Sequence, residues 1–376
     1  MSANLDPSHI AVVNTTISQY VKGAEDNTIR RRILLAHLRK NGKITYGNSG
    51  TSLTWQIEFS QPPMRQLGDA GEITFAEHVA YKQATLPWRG YVITDLLTEK
   101  QRLENRGAQA LVNLYKSKTD NMIKSFNAGI NAQFYVDGNA TGNENAIHGF
   151  KSCLGYSAPA STDLIATPND SYAGLTTNLA TYGGTWSAAR SSTETPQFPN
   201  ATLAKDWPYG SGESEYDFCA PKILNSTSSN WGTGSTSWSD NCQRVISRAN
   251  IWMRSTGGDG GAPILFLFGS DMFSGIRDYY EAKTRVIVPH KESEDLGFSD
   301  VFNIDGCGVG YDFDCPSSQG FGLKIAEIEL ACMYDNMFAV DGPEKFMRTN
   351  SYLTKLGFFG NMKLKPKHMA YIAALA

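Results

Sequence analysis

Charge is scarce in this chain. Only 19% of its 376 residues are charged, below the usual quarter, and 37 acidic against 34 basic side chains leave a formal net charge of −3. That balance excludes a dedicated reader of nucleic acid, which needs a basic face, but not a container that merely surrounds it. Long apolar runs are missing as well. No window approaches the roughly 20 apolar residues of a membrane span, and the opening residues have neither the basic region nor the continuous apolar core of a signal peptide. A soluble protein made in the cytoplasm, with no membrane partner, is the expectation. The six cysteines, Cys153, Cys219, Cys242, Cys307, Cys315 and Cys332, form no CxxC pair, so buried free thiols are expected over disulfides or zinc ligands.

The signatures of catalysis are absent too. There is no GxSxG elbow, Walker A loop, HExxH helix, EF-hand loop or strand-linked GxGxxG. His9, His37, His78, His148, His290 and His368 stand apart from one another, and none sits at ligand spacing. Two acidic groups, Glu213, Glu215 and Asp217, then Asp305, Asp312 and Asp314, offer oxygens a hard cation would accept, but scattered loop carboxylates are ordinarily just solvated. Tyr311 and the seven Trp would make a stacking platform only with a basic surround, so core packing is the better reading. No catalytic residue, metal site or cofactor is expected.

What is present is apolar, aromatic and glycine-rich. With 41% apolar residues, 11% aromatics and 35 Gly, the chain can bury a sizeable core and is biased toward β-structure and loops. Its organising stretch is residues 98–137, read as one long amphipathic helix. Thr98 and Gln101 have capping-box spacing, with Glu99 in the first turn. Leu103, Leu111, Leu114, Tyr115, Met122, Phe126, Ile130 and Phe134 then form one apolar stripe, and Arg102, Glu104, Lys116, Lys118 and Lys124 the wet face. At about 1.5 Å per residue such a helix would be roughly 50 to 60 Å long, too long to fold around a core and suited to bracing a plate.

In front of it lies the clearest β signal. Leu53-Thr54-Trp55-Gln56-Ile57-Glu58-Phe59 alternates strictly, and Ile73-Thr74-Phe75 through Val79-Ala80-Tyr81 alternates less perfectly. The two predict a ribbon with a broad tip over residues 43–96, with one apolar face left for a neighbouring copy to cover. Ahead of the ribbon, residues 1–26 are a polar arm, followed by a short helix with Ile29, Ile33, Leu34 and Leu38 that Gly42 stops. Arg30, Arg31 and Arg32 in it either touch phosphates or a neighbour's carboxylates, or form a solvated face. Beyond the long helix, residues 138–240 read as loops and short strands. A helix at Cys242 to Met253, the apolar strand Ile264-Leu265-Phe266-Leu267-Phe268 and a helix capped by Ser270 and Asp271 then make an α/β core. Further strands are expected at 285–288 and 308–313. The final segment reads as two strands turning at Gly360-Asn361 and lying beside the long helix as a narrow sheet.

Two classes compete at this point. A shell subunit explains arm, ribbon and bracing helix together; a β-rich glycan-binding or hydrolytic protein explains only the Trp-rich, Ser/Thr-rich middle and its carboxylates. The order of elements resembles the major capsid proteins of tailed bacteriophages, those with the Hong Kong ninety-seven-like fold. The likeness is carried by Leu111-Val112-Asn113-Leu114-Tyr115 through Phe134-Tyr135-Val136-Asp137-Gly138, by Glu215-Tyr216-Asp217-Phe218, by Thr284-Arg285-Val286-Ile287-Val288 with Leu296-Gly297-Phe298 and Asn303-Ile304-Asp305-Gly306, and by Phe358-Phe359-Gly360-Asn361 with the end Ala373-Ala374-Leu375-Ala376.

The resemblance implies an α+β phage capsid fold in five parts: an N-terminal arm at 1–42, an extended β-hairpin loop at 43–96, a spine helix of the peripheral domain at 97–138, an α/β axial domain at 139–340 and peripheral-domain strands at 341–376. It implies self-assembly into pentamers and hexamers of an icosahedral shell in the virion, around double-stranded DNA held without sequence recognition. Portal, scaffold and decoration proteins are implied as further partners. On this reading Trp55, Ile57, Phe59, Ile73 and Phe75 rest on the adjacent subunit, and Arg65 and Asp69 at the ribbon tip pair with charges there. Some relatives crosslink a loop lysine to a neighbour's asparagine; Lys82, Asn350 and Asn361 sit in the corresponding regions, but no such bond is expected.

Overall fold

The computed structural model describes residues 32–58, 80–104, 108–154, 171–177, 219, 221–226, 237–256, 264–282, 291, 295–296, 301–346, 348 and 351–374. Helix α1 (Ile33–Lys40) leads through β1 (Ile44–Thr45) into the ribbon strands β2 (Ser52–Glu58) and β3 (Tyr81–Pro87). Strand β4 (Arg89–Thr98), α2 (Glu99–Glu104) and α3 (Ala108–Gln133) follow. After β5 (Ser171–Tyr172), β6 (Leu175–Thr176) and β7 (Lys222–Asn225) come α4 (Trp238–Thr256), β8 (Ile264–Phe268) and α5 (Ser270–Ala282). The rest is strand: β9 (Phe302–Ile304), β10 (Cys307–Tyr311), β11 (Gln319–Lys324), β12 (Glu329–Cys332), β13 (Ala339–Phe346), β14 (Ser351–Lys363) and β15 (Met369–Ala373).

The helical brace begins with the reciprocal cap its sequence calls for. The Gln101 amide donates to Thr98 Oγ1 at 3.3 Å, and the Thr98 amide to Gln101 Oε1 at 3.4 Å. The structure describes two helices where the periodicity reads as one. The second, α3, has 26 residues and is about 39 Å long at about 1.5 Å per residue. Tyr115, Met122, Phe126, Ile130 and Phe134 of the expected stripe are buried, together with Ile123. Leu103 is not, at 43% exposed. In α2 it is Arg102 that faces the sheet, over the Tyr352 ring at 5.3 Å and paired with Glu99, which turns Leu103 outward. Leu111 falls outside the described side chains.

A five-stranded sheet covers the buried stripe. Its centre is β14, whose residues pair with β4 along one edge and with β12 and β13 along the other: Gly360 lies opposite both Arg89 and Cys332, and Ser351 opposite both Thr98 and Phe346. Alternation sends Tyr352, Leu356 and Phe358 inward. There Phe126 meets Phe358 at 5.6 Å and Phe338 at 5.2 Å between ring centroids. Lys118 secures the other side of the helix by donating to Asp95 and to the Leu96 carbonyl.

A six-stranded sheet, in the order β7-β15-β11-β8-β10-β9, sits at the far end of α3. It is covered on both faces, which is why β8 is apolar at every position. Cys242, Val245, Ile246, Met272 and Ile276 of α4 and α5 cover one face with Phe266 and Phe268. Tyr135 and Phe150 cover the other, both packed on Phe321 at 5.4 and 5.8 Å. The six cysteines are buried free thiols. The segment 285–288, read as a strand, and most of 138–240 lie outside the described residues.

The C-terminal segment departs from its sequence reading. Gly360 and Asn361 make no turn; β14 runs straight through them, and the chain reverses at the 3-10 turn Pro366–His368. Gly360 is there for close approach, since a Cβ on it would lie 2.4 Å from the Ala331 carbonyl oxygen. The last strand, β15, does not lie beside the long helix but enters the six-stranded sheet between β7 and β11. The two sheets therefore exchange segments across the boundary drawn at residue 340. Replacing Gly360 with Ala should lower stability in urea unfolding by about 1 to 3 kcal/mol, the cost of overpacking, because backbone and not a movable side chain blocks the new methyl.

Candidate intersubunit surfaces

The root of the ribbon is described, and the expected partner run from Ile73 to Val79 lies outside the described residues. Strand β2 pairs antiparallel with β3 from Ser52 opposite Pro87 to Glu58 opposite Tyr81, which brings residues 82–87 into the ribbon as well. Thr54, Gln56 and Glu58 are exposed, Leu53, Trp55 and Ile57 half-buried, and Ala84 and Leu86 buried. The cover comes from the same chain. Trp55 packs on Tyr172 at 6.4 Å with the Lys363 ammonium 5.6 Å from its ring centre, and the Thr85 amide donates to the Ala173 carbonyl. The expectation that this face is bare in the isolated subunit is corrected for the ribbon's root, because the β5–β6 hairpin and the end of β14 reach under it. Phe59, Arg65, Asp69, Ile73 and Phe75 lie outside the described residues.

Arg30 and Arg31 are also outside them. Arg32 is described and turns to its own chain, donating to Asp314 Oδ2 at 3.1 Å. The same oxygen accepts from Asn131 Nδ2, which also reaches Asp312 Oδ1 at 3.0 Å. Two of the three carboxylates of the second acidic group thus meet the end of α3, while Glu213, Glu215 and Asp217 of the first lie outside the described residues. The third, Asp305, instead takes the Ser247 hydroxyl.

One surface was missed in the sequence. The outer face of the five-stranded sheet exposes Val92, Leu96, Phe346 and Phe359, with Val92 60% exposed. Leu353, opposite Leu96 in the register, continues the patch, and the Asp341–Lys355 ion pair crosses it at 3.2 Å. The run Arg89–Thr98 carries apolar residues on both faces, so its alternation is masked; only the pairing to β14 shows which of them point out.

Little here suggests reaction chemistry. Among the described residues no three or more His, Cys, Asp or Glu side chains are placed to hold a metal ion. Burial pushes the Cys219 thiol up to about 12, the reverse of what a nucleophile needs. The open groove on α5, of about 440 Å³, is lined by Ser270, Phe273, Ser274, Arg277, Asp278, Glu281 and Tyr311, and the Ser270 hydroxyl is taken up by its neighbour Asp271 at 3.3 Å, a bond local to the helix start.

No protein-family model matches the sequence, and no curated protein matches it. Solved structures do. The chain aligns with the capsid of a native GTA particle at a TM-score of 0.57 and 9% identity, over 91% of this chain and 90% of that one. The chain has a capsid-protein fold. It aligns equally with the capsid of cyanophage A-1(L), at a TM-score of 0.55, 10% identity and coverage of 90% and 92%, and with an empty GTA capsid at 0.54, 10% identity and coverage of 90% and 96%.

In this capsid fold the root of the ribbon is fixed by one buried amide. Asn361 Nδ2 donates to the Pro87 carbonyl at 2.7 Å and to His148 Nδ1 at 2.9 Å, while its Oδ1 accepts from the His148 and Met362 amides. Every hydrogen-bonding position of that amide is filled. Burial holds the His148 imidazole below its ordinary value, and a proton on Nδ1 would oppose the Asn361 donor. The folded state therefore binds this proton less well than the unfolded chain. Stability is complete above an unfolded histidine's value of about 6.5 and is lost as pH falls below it, by at most about 1.4 kcal/mol per pH unit. His368, pushed down to about 3 by burial and by Lys222 and Lys324, adds in the same direction. His148→Gln should flatten part of the acid loss of stability measured by urea unfolding between pH 7 and 5; an unchanged slope would show that His148 does not carry it.

Proposed function

We propose that this chain is a major capsid protein, a structural and non-enzymatic subunit that self-assembles into pentamers and hexamers of an icosahedral phage head. The observation that carries the reading is the alignment, over nine-tenths of both chains, with capsid subunits. It explains the chain's economy of charge, since a shell wall holds nucleic acid without reading it. It also gives the exposed apolar outer face of the five-stranded sheet a use. Patches of that kind mark contact sites, and arms and ribbons laid over neighbours supply the buried area that plates alone lack. In this reading the parts keep their order, arm at 1–42, loop at 43–96, spine at 97–138, axial domain at 139–340 and closing strands at 341–376, with β12 and β15 exchanged across the last boundary. The ribbon residues from Phe59 to Phe75 meet the adjacent subunit. Double-stranded DNA fills the interior, portal and scaffold proteins serve assembly, and the mature location is the virion. The glycan-binding or hydrolytic alternative has no observation in its favour.

The test is direct. Purified protein should give closed particles of megadalton mass by negative-stain microscopy and light scattering; a stable monomer under all assembly conditions would reject the reading. Replacing Val92 and Leu96 together with Asp should leave circular dichroism and the unfolding midpoint nearly unchanged, because both side chains are exposed in the subunit, and should abolish particles. Complete particles from that variant would remove the outer sheet face from the contact surface.

A further inference from the structure

Among the described residues, Asp312 Oδ2 and Asn131 Oδ1 at the end of α3 are buried without a bond of ordinary hydrogen-bond geometry, and the Tyr135 hydroxyl, equally buried, faces Asp312 as the third oxygen of the niche. Their residues are each at least nine-tenths buried and belong to two elements, the helix end and the turn after β10. The rest of the junction is well tied. Asp312 Oδ1 accepts from Asn131 Nδ2 and from the Asp314 amide, and Asp314 accepts from Asn131 and from Arg32 at the start of α1. Two carboxylates share one amide nitrogen, and among the described residues the only full positive charge bonded to the pair, Arg32, is on Asp314 rather than on Asp312. Leaving such oxygens dry and unanswered costs about 1 to 3 kcal/mol each.

A hard cation is a poor answer. It wants six or more oxygens, three are on offer, and both carboxylates already converge on one amide nitrogen. A proton is the smallest donor that answers the deficit, and Oδ2 is the carboxylate oxygen with room for it. We propose that Asp312 takes up a proton in the folded subunit, so that the junction joining α1, the end of α3 and the β10–β11 turn is a lock that tightens on acidification. Ionising Asp312 sets two like charges against one amide and loosens it. The net effect of the groups facing Asp312 has this direction: burial, the largest cause, and the neighbouring Asp314 charge raise its affinity for a proton, against the Asp314 amide, the Tyr135 hydroxyl and Asn131, which favour the charged form. Tyr135 and Cys315, the other titratable groups of the niche, are themselves held neutral by burial, and Lys151 lies toward Cys315.

The sign follows from linkage. A carboxyl that binds its proton more tightly folded than unfolded contributes stability that is full below the unfolded value of about 3.9 and is lost as pH rises through the folded one. The lock belongs to the single subunit and holds whether or not the chain builds a shell, so its test does not depend on assembly. Amide hydrogen exchange of α1, corrected for the intrinsic pH effect, should show the opening constant rising with pH above 4, by no more than about tenfold per pH unit. Asp312→Asn keeps the shape and supplies a permanent donor, and should abolish that rise. The same rise in the variant, or an α1 that opens more in the variant at every pH, would overturn the proposal. If the variant does not fold, the Asp312 carboxyl carbon in wild-type NMR decides: titration above the ordinary carboxylate range supports the lock, and titration at or below it refutes it.

Discussion

Everything in this fold leans on one helix face. The buried stripe of α3 is shared by two sheets that otherwise make separate cores: Phe126 joins it to the five-stranded sheet through Phe338 and Phe358, and the residues just past its end join it to the six-stranded sheet through Tyr135, Phe150 and Phe321. The six-stranded sheet could not keep both its faces dry without that support, nor the five-stranded sheet its inner one. The five-stranded sheet has helix on one side only, and its outer side stays apolar and open, as a wall panel's contact face would.

Local chemistry made some of this legible before any coordinates. The capping box at Thr98 and Gln101 forms as its spacing requires, because both partners are four residues or fewer apart and need no tertiary help. The all-apolar β8 and the helices around it are equally plain, since burial on both faces leaves no polar alternative. What could not be read was decided by distant partners. Gly360 looked like a turn because glycine is a turn residue, yet it serves a backbone crossing with Ala331, some thirty residues away in the chain. Arg32 looked outward-facing because its partner, Asp314, lies 282 positions on.

The ribbon illustrates the same limit. Its alternation gave the strand and the two faces correctly, but not what covers them, and the root proves to be packed on Tyr172 and Lys363 of the same chain. The outer sheet face went unseen for the opposite reason: β4 is apolar on both sides, so periodicity says nothing about direction. With identity of 9 to 10% to the capsids it resembles, the chain keeps their architecture through such pairings rather than through conserved words of sequence.

The path of β15 has a consequence in time. It occupies an inner slot of its sheet, between β7 and β11, yet is synthesised after all the other strands there. A growing polypeptide can form its helices early, but β14 at the centre of one sheet and β15 inside the other arrive last, so a gap persists in the middle of the second sheet even after the first can close. Completion of that layer is thereby tied to the emergence of β15, and a chain that stops short of it lacks an inner strand of the second sheet.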